Sequence, residues 1–412
     1  MRAGHRLRRH DRRALHRRHL HRERRLRLAA RPRAGRRDPH PRERHRRVGH
    51  RRRPRRQPRL AALPGLLRRR DRGRGRRQGH RHPRRAQGRR LLAHERRVQP
   101  GPREDQGRGG QLSPLLPPAD HAHGFEAIGT VWRIDSPEPL TPEVAAAVAA
   151  LVERYDRTWS RFRDDSLVSR IAREPGSWAL PAEAGPLLAL YRRLYELSDG
   201  RVSPLVGRAL ETLGYDPAYS LHPAGPAGPA PRWEDALAWD GARLDTPAPV
   251  LLDVGAAGKG QLVDLVAELL ADRGVRGATV DGGGDVRHHG ERDLRIALEH
   301  PADPGRAIGV LELPAGAGFA ASATNRRAWG AGLHHVLDAT TGRPVTRYVA
   351  SWVVAEDAMT ADGFATALLL LPRAVADALR EARWARMRAD GRVEVGPGFP
   401  AELFLRPGPD KE

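Results

Sequence analysis

The sequence predicts an α+β fold of mixed, mainly antiparallel sheets with packed helices, preceded by an arginine-rich non-globular extension. Three observations lead there. From Phe125 onward, strand-like and helix-like segments are interleaved without the regular βαβ alternation of a doubly wound sheet. The stretch GATVDGGGDVRHHG (277–290) reads as strand, glycine turn, strand. Composition also breaks sharply near residue 118. Residues 1–100 hold 40 Arg against 6 Asp or Glu, so the formal charge of +25 on the 412-residue chain belongs to its first quarter, and the rest is mildly acidic.

Within the globular part, FEAIGTVWRID (125–135) alternates and is rich in β-formers, which predicts a strand. TPEVAAAVAALVERYDRTWSRF (141–162) begins with Thr141 as N-cap and Pro142 at the first helical position. Val144, Val148, Leu151, Val152, Tyr155 and Trp159 then mark one apolar helical face. A second helix is expected over 183–198, with Leu187, Leu188, Tyr191, Leu194 and Tyr195 inward and Gly200 as its stop. Residues 222–232 form a Pro/Gly loop. At 250–275 the pattern predicts a short apolar strand, a glycine-rich turn and a helix. Strands follow near 294–299, 308–313, 318–322, 334–337 and 348–355, then a helix over 358–371.

The first 118 residues carry no aromatic residue, Ile, Thr, Asn or Lys, and too few aliphatic side chains to offset chain entropy. They should not fold alone. Their vocabulary is that of a GC-rich gene read out of frame, so a start assigned too far upstream is the expectation for 1–118. Otherwise it would be a solvated tail or an arginine-mediated nucleic-acid binder. The cluster LAALPGLL (60–67) is too short to span a bilayer and makes a poor signal core. With no cysteine, disulfides, thiolate zinc sites, a cysteine nucleophile and a lipid-anchor cysteine are excluded. The chain as written reads as cytoplasmic, with no membrane span and no nucleic-acid partner unless the extension is real.

Several segments could carry chemistry. DVGAAGKG (253–260) is a glycine turn ahead of a helix, a place where backbone N–H groups and the helix N-terminus favour anions. It lacks the spacing of a Walker loop. Lys259 is conspicuous, because Lys411 is the only other lysine. DGGGD (281–285) is a second glycine turn, bounded by carboxylates; three glycines suit a close backbone approach by a ligand, but taken alone a tight hairpin is the better account. In TADGFAT (360–366), Asp362 and Thr366 fall on one helical face, a pair suited to a hard cation such as Mg²⁺. GLHHVLDATTGRPV (332–345) places two histidines ahead of an apolar pair and a polar turn.

Taken in order, these segments closely resemble the FAD:protein FMN transferase (ApbE) family, from IGT (128–130) to about Leu371. SRFRDDSLVSRI (160–171) and SDGRVSPLVGRALETLGYD (198–216) resemble its two N-terminal motifs. DVGAAGKGQLVD resembles DxGGxAKGxxxD, VDGGGDV its strand and GG turn, and AASAT (320–324) its TSG segment. HHVLDATTGRP (334–344) is similar to HIIDPxTGxP, and ADGFAT to ADAxAT. The resemblance implies an ApbE-like, T-fold-like domain over 119–408. It implies Mg²⁺-dependent transfer of FMN from FAD to a Thr or Ser hydroxyl of a flavoprotein carrying a Ser/Thr-Gly-Ala-Thr/Ser-like motif, with release of AMP.

By the same resemblance, Asp362, Thr366 and the Gly258 carbonyl would hold Mg²⁺. Gly255, Gly258, Lys259, Gly260, Gly283, Gly284, Ser322 and Asp338 would contact FAD, and His335 with Lys259 would be catalytic, His335 as general base. His334 is expected to be a bystander. Departures from the family pattern include Ala321 and Ala323 around Ser322, Ala339 for Pro, Asp281 for Asn, Gln261 for an aromatic and Ser203 for Asp. Two alternatives stay open: an FAD-binding protein without transfer activity, and a Mg²⁺-dependent FAD pyrophosphatase.

Overall fold

The computed structural model of the chain describes residues 121–404. The arginine-rich stretch 1–118 lies outside them, as do the outermost residues of the expected 119–408 domain. An eight-stranded sheet organises the described part. Its strands lie side by side in chain order: His121–Ala127, Thr130–Ser136, Thr279–Asp281, Val286–His288, Gly318–Ala323, Tyr348–Ala355, Ala382–Arg388 and Val393–Val395. Every neighbouring pair is antiparallel, so the expected α+β class holds.

The segment 125–135, expected as one strand, turns out to be most of a hairpin. Ala127 pairs with Thr130, which leaves Ile128 and Gly129 as a two-residue turn with φ of 43° and 75°. Positive φ at both positions matches the strand twist, but a β-branched residue adopts it only under constraint. The Ile128 side chain packs against the core, and that contact supplies the constraint.

Helices occupy one face of the sheet, carried on insertions between its strands. Pro142–Trp159 begins as expected: Thr141 Oγ1 accepts the Val144 N–H at 3.4 Å, and Val144, Val148, Leu151, Tyr155 and Trp159 are buried. Ala184–Leu197 buries Leu187, Leu188, Tyr191 and Leu194 and is followed by Gly200 at φ 82°, while Tyr195 stays half-buried. The apolar run 250–254 is not a strand. It is held by single bonds to separate segments, Val250 N–H to the Ile171 carbonyl and Asp253 N–H to the Pro204 carbonyl. The helix after it is Gly258–Asp272, and the last one anticipated, Ala358–Leu368, ends earlier than expected.

Against the opposite face lies a three-stranded sheet of Leu294–His300, Asp303–Leu313 and Ala401–Leu403. Ile296, Leu298, Leu311 and Leu313 pack there against Phe319, Trp352 and Val354. Side chains alternate across a strand. Thus Val353 and Ala355 meet the Ala358–Leu368 helix, whereas Trp352 and Val354 meet the small sheet. Covered on both sides, the Tyr348–Ala355 strand is buried along almost its whole length. No helix among the described residues is long and apolar enough to cross a membrane.

Candidate functional site

The site is built where the Gly258–Asp272 and Ala358–Leu368 helices touch. Gly260 makes that contact close: a Cβ there would lie 2.2 Å from the Ala358 carbonyl oxygen. One turn further on, both oxygens of Asp264 reach the start of the partner helix, accepting Ala358 N–H at 3.0 Å and Met359 N–H at 2.8 Å. Asp357 accepts Thr360 N–H at 2.6 Å, so two carboxylates satisfy three otherwise orphaned amides. Burial pushes the Asp264 carboxyl up to about 7, against the pull of those amides.

This docking brings Asp362 onto the glycine turn, where its Oδ2 accepts the Gly260 N–H at 3.0 Å. Thr366 follows on the same face, its hydroxyl 3.3 Å from that of Ser322. The expected Asp/Thr pair is therefore real as geometry. Ala321 and Ala323, which depart from the family pattern, pack toward the small sheet and away from Thr366. Their missing polar groups take nothing from the Ser322–Thr366 side.

Lys259 is ion-paired with Asp285, the second carboxylate of DGGGD. Asp285 is fully buried, and its Oδ1 has no hydrogen-bond partner among the described residues. Asp362 is likewise buried, and its carboxyl is held well above the usual range, first by burial and next by the neighbouring Asp285, with Lys259 opposing. Burial also pushes Asp281 up to about 6, while it accepts Gly284 N–H at 2.8 Å. One ammonium thus faces several desolvated carboxyls, an arrangement that favours entry of a further cation. Among the described residues no group of three or more His, Asp or Glu side chains forms a metal cage. The donors here are carboxylates and a hydroxyl, a sparse set that suits an ion keeping its waters or phosphate oxygens.

Gly283 and Gly284 have φ of 70° and 106°, which explains glycine there without a ligand. A Cβ on Gly283 would also meet Thr130 Oγ1 at 2.1 Å, so the turn packs closely on the IGT segment.

The other end of the 253–260 turn holds a second cluster. Arg161, buried, donates to Asp253 at 2.6 Å and to the Tyr215 carbonyl at 2.8 Å, joining three motif-like segments distant in sequence. Arg327 donates to the Tyr215 hydroxyl. Asp253 also accepts the Gly255 N–H at 2.8 Å, which ties down the turn itself.

His335 sits beside this cluster. Its Nδ1 is sealed from solvent without a hydrogen-bond partner, although the residue keeps a partly exposed edge. Burial, then the charge of Arg327 and the neighbouring His334, hold its pKa down to about 3, so the ring is neutral at pH 7. His334 is spent on structure: Nδ1 accepts Val336 N–H at 3.3 Å, which leaves Nε2 to donate to the Val345 carbonyl at 2.9 Å. The two histidines therefore differ in hydrogen bonding: both ring nitrogens of His334 are engaged, and His335 Nδ1 is not.

Two further expected site residues have partners within the protein. The Gly258 carbonyl lies 2.8 Å from the Tyr155 hydroxyl, whose single proton also has Gln261 Oε1 within reach at 2.9 Å, and Gly258 opens its helix. Asp338 organises its turn, accepting the Thr340 N–H at 2.9 Å and the Thr340 hydroxyl at 2.6 Å. Sequence reasoning missed Asp285, Asp264, Arg161 and Arg327. The symmetric carboxylates of DGGGD were the one available signal for Asp285.

Fold and site together define a class: an antiparallel α+β domain in which a lysine-bearing glycine turn meets the buried helix that carries Asp362 and Thr366. A model of the ApbE family matches residues 128–389, and the chain belongs to that family. The FAD:protein FMN transferase of Vibrio cholerae serotype O1 is 30% identical over 237 residues, 54% of this chain and 71% of the relative. That of Rhodobacter capsulatus is 28% identical over 283 residues, covering 63% of this chain and 53% of the relative, so the chain spans about half of that protein's length. Among solved structures, the ApbE protein of Thermotoga maritima matches with a TM-score of 0.59 at 25% identity, over 67% of this chain and 96% of that one. The flavin transferase ApbE of Vibrio cholerae matches with a TM-score of 0.56 at 24% identity, over 68% of this chain and 97% of that one.

Proposed function

We propose that this chain transfers the FMN moiety of FAD to a Ser or Thr hydroxyl of an acceptor flavoprotein, with Mg²⁺, and releases AMP. The observation that carries the reading is the cluster of Lys259 with the buried Asp285 and Asp362, on the helix that bears Thr366, in a chain whose relatives bear the name FAD:protein FMN transferase.

In this reaction the acceptor oxygen bonds to the phosphorus of the FMN half as the bond from that phosphorus to the AMP oxygen breaks. The hydroxyl proton goes to a base, and AMP leaves with the electron pair. Catalysis of such a transfer rests on positioning and charge neutralisation. Asp362 and Thr366 would hold Mg²⁺, and their fit rests on the desolvated Asp362 carboxyl and the orphaned Asp285 Oδ1. When bound, the ion would offset charge on the pyrophosphate oxygens.

Lys259 carries the mobile cation of the site, able to exchange Asp285 for a phosphate oxygen. Ser322 orients the Thr366 hydroxyl. His335 is the base: its ring is neutral at pH 7 and keeps a partly exposed edge, beside Arg327.

The test incubates the full chain with FAD, Mg²⁺ and an acceptor domain carrying the Ser/Thr-Gly-Ala-Thr/Ser-like motif, and weighs the acceptor by mass spectrometry. The expected result is an acceptor heavier by one FMN moiety, with no gain for Asp362→Asn. FMN and AMP released with the acceptor unchanged would make the chain a pyrophosphatase, and intact bound FAD would make it a binding protein.

A further inference from the structure

The least explained group in the molecule is Asp285. A fully buried carboxylate with one oxygen unpartnered is costly to keep, because that oxygen has lost water without gaining a donor. Its other oxygen is held by Lys259, whose ammonium is partly exposed. Asp285 stands near Asp362, whose Oδ2 accepts the N–H of Gly260, the residue that follows Lys259. The strand geometry leaves little freedom: Asp285 follows Gly283 and Gly284, whose positive φ angles turn the chain, and precedes Val286 in the central sheet. The backbone thus directs the side chain inward, and Lys259 is its one ion-pair partner among the described residues.

We propose that Asp285 is a protein ligand of the divalent cation, completing with Asp362 and Thr366 an oxygen set in which Lys259 occupies the cation's place until the ion enters. The inference rests on the reading of Asp362 and Thr366 as the cation pair. It assigns the unpartnered oxygen a use and makes Lys259 a competitor for the same charge. On entry of a hard cation, Asp285 exchanges an ammonium for the ion, and Lys259 is released toward the open side of the site.

The experiment titrates the full chain with Mn²⁺, in the absence of FAD, following the electron paramagnetic resonance signal of the free ion. Asp362→Asn and Asp285→Asn are each expected to weaken binding at least about tenfold, as loss of a ligand or its close support does. Lys259→Met is expected to tighten it several-fold, because the competing ammonium is gone. Wild-type affinity in Asp285→Asn with weakened Asp362→Asn overturns the inference and leaves the cation pair standing. Wild-type affinity in Asp362→Asn, or no binding by the wild type, overturns both. Should Asp285→Asn fail to fold by circular dichroism, Lys259→Met decides: unchanged or weaker affinity overturns the proposal.

Discussion

Gly260 donates its backbone N–H to the Asp362 carboxylate at 3.0 Å while its missing side chain lets the Ala358 carbonyl come within 2.2 Å of where a Cβ would stand. One residue thus sets both the separation of two helices and the orientation of the carboxylate between them. Gly260→Ala must push backbone away from backbone, an overpacking cost of about 1–3 kcal/mol. A lower urea midpoint together with weakened Mn²⁺ binding is the expected pair of results. A variant of unchanged stability would show that the two helices slide freely.

Asp264 holds the start of the Asp362-bearing helix through two amides. Asp264→Ala is expected to lose about 1–2 kcal/mol of stability as a lost N-cap does. Asp264→Asn, which keeps one acceptor oxygen, should fall between the two. Denaturant titration of the three proteins checks the order. Equal midpoints would mean that Asp357 alone suffices as the cap.

Arg161 and Asp253 form an ion pair at 2.6 Å with side chains 2% and 15% exposed. Removing one partner strands the other, at a cost of about 3–5 kcal/mol for Arg161→Met. The double variant Arg161→Met with Asp253→Asn should recover part of that loss. Its failure to recover any would place the cost in the Tyr215 carbonyl bond instead of the ion pair.

His335 supplies the pH test. Its folded pKa is held down to about 3 from the ordinary 6.5, so the unfolded chain binds more protons between those values. Stability present above about pH 6.5 is therefore lost as pH falls toward 3, and His335→Gln should flatten that slope. As a general base, its loss should lower kcat of transfer by about 10²–10⁴-fold while FAD affinity stays within a few-fold. Urea midpoints at pH 7 and 4.5, with kcat and the FAD dissociation constant, check both. An unchanged kcat would remove His335 from the chemistry.

The residues legible in the sequence were those whose role follows from local spacing. Asp362 and Thr366 share a face because a helix repeats every 3.6 residues. Thr141 and Pro142 start their helix by local capping alone. The strand Ala382–Arg388 was not legible, since ARWARMR spaces its arginines irregularly and shows no clean alternation, and only the fold reveals that Arg386 is buried on Glu394 at 2.7 Å. The turn at Ile128–Gly129 was hidden for a related reason: an isoleucine at positive φ is stabilised by core packing, not by its own preference.

By itself the sequence determined the α+β class, the order of the motifs and the helix that carries Asp362 and Thr366 on one face. Tertiary structure alone decided that Asp285 meets Lys259, that Asp264 is a cap, that Asp253 belongs to Arg161, and that the Gly258 carbonyl is engaged by Tyr155. The physical reason is range. Helical period and capping act over a few residues, whereas burial of a carboxylate and the charge that offsets it depend on segments brought together only by packing the core.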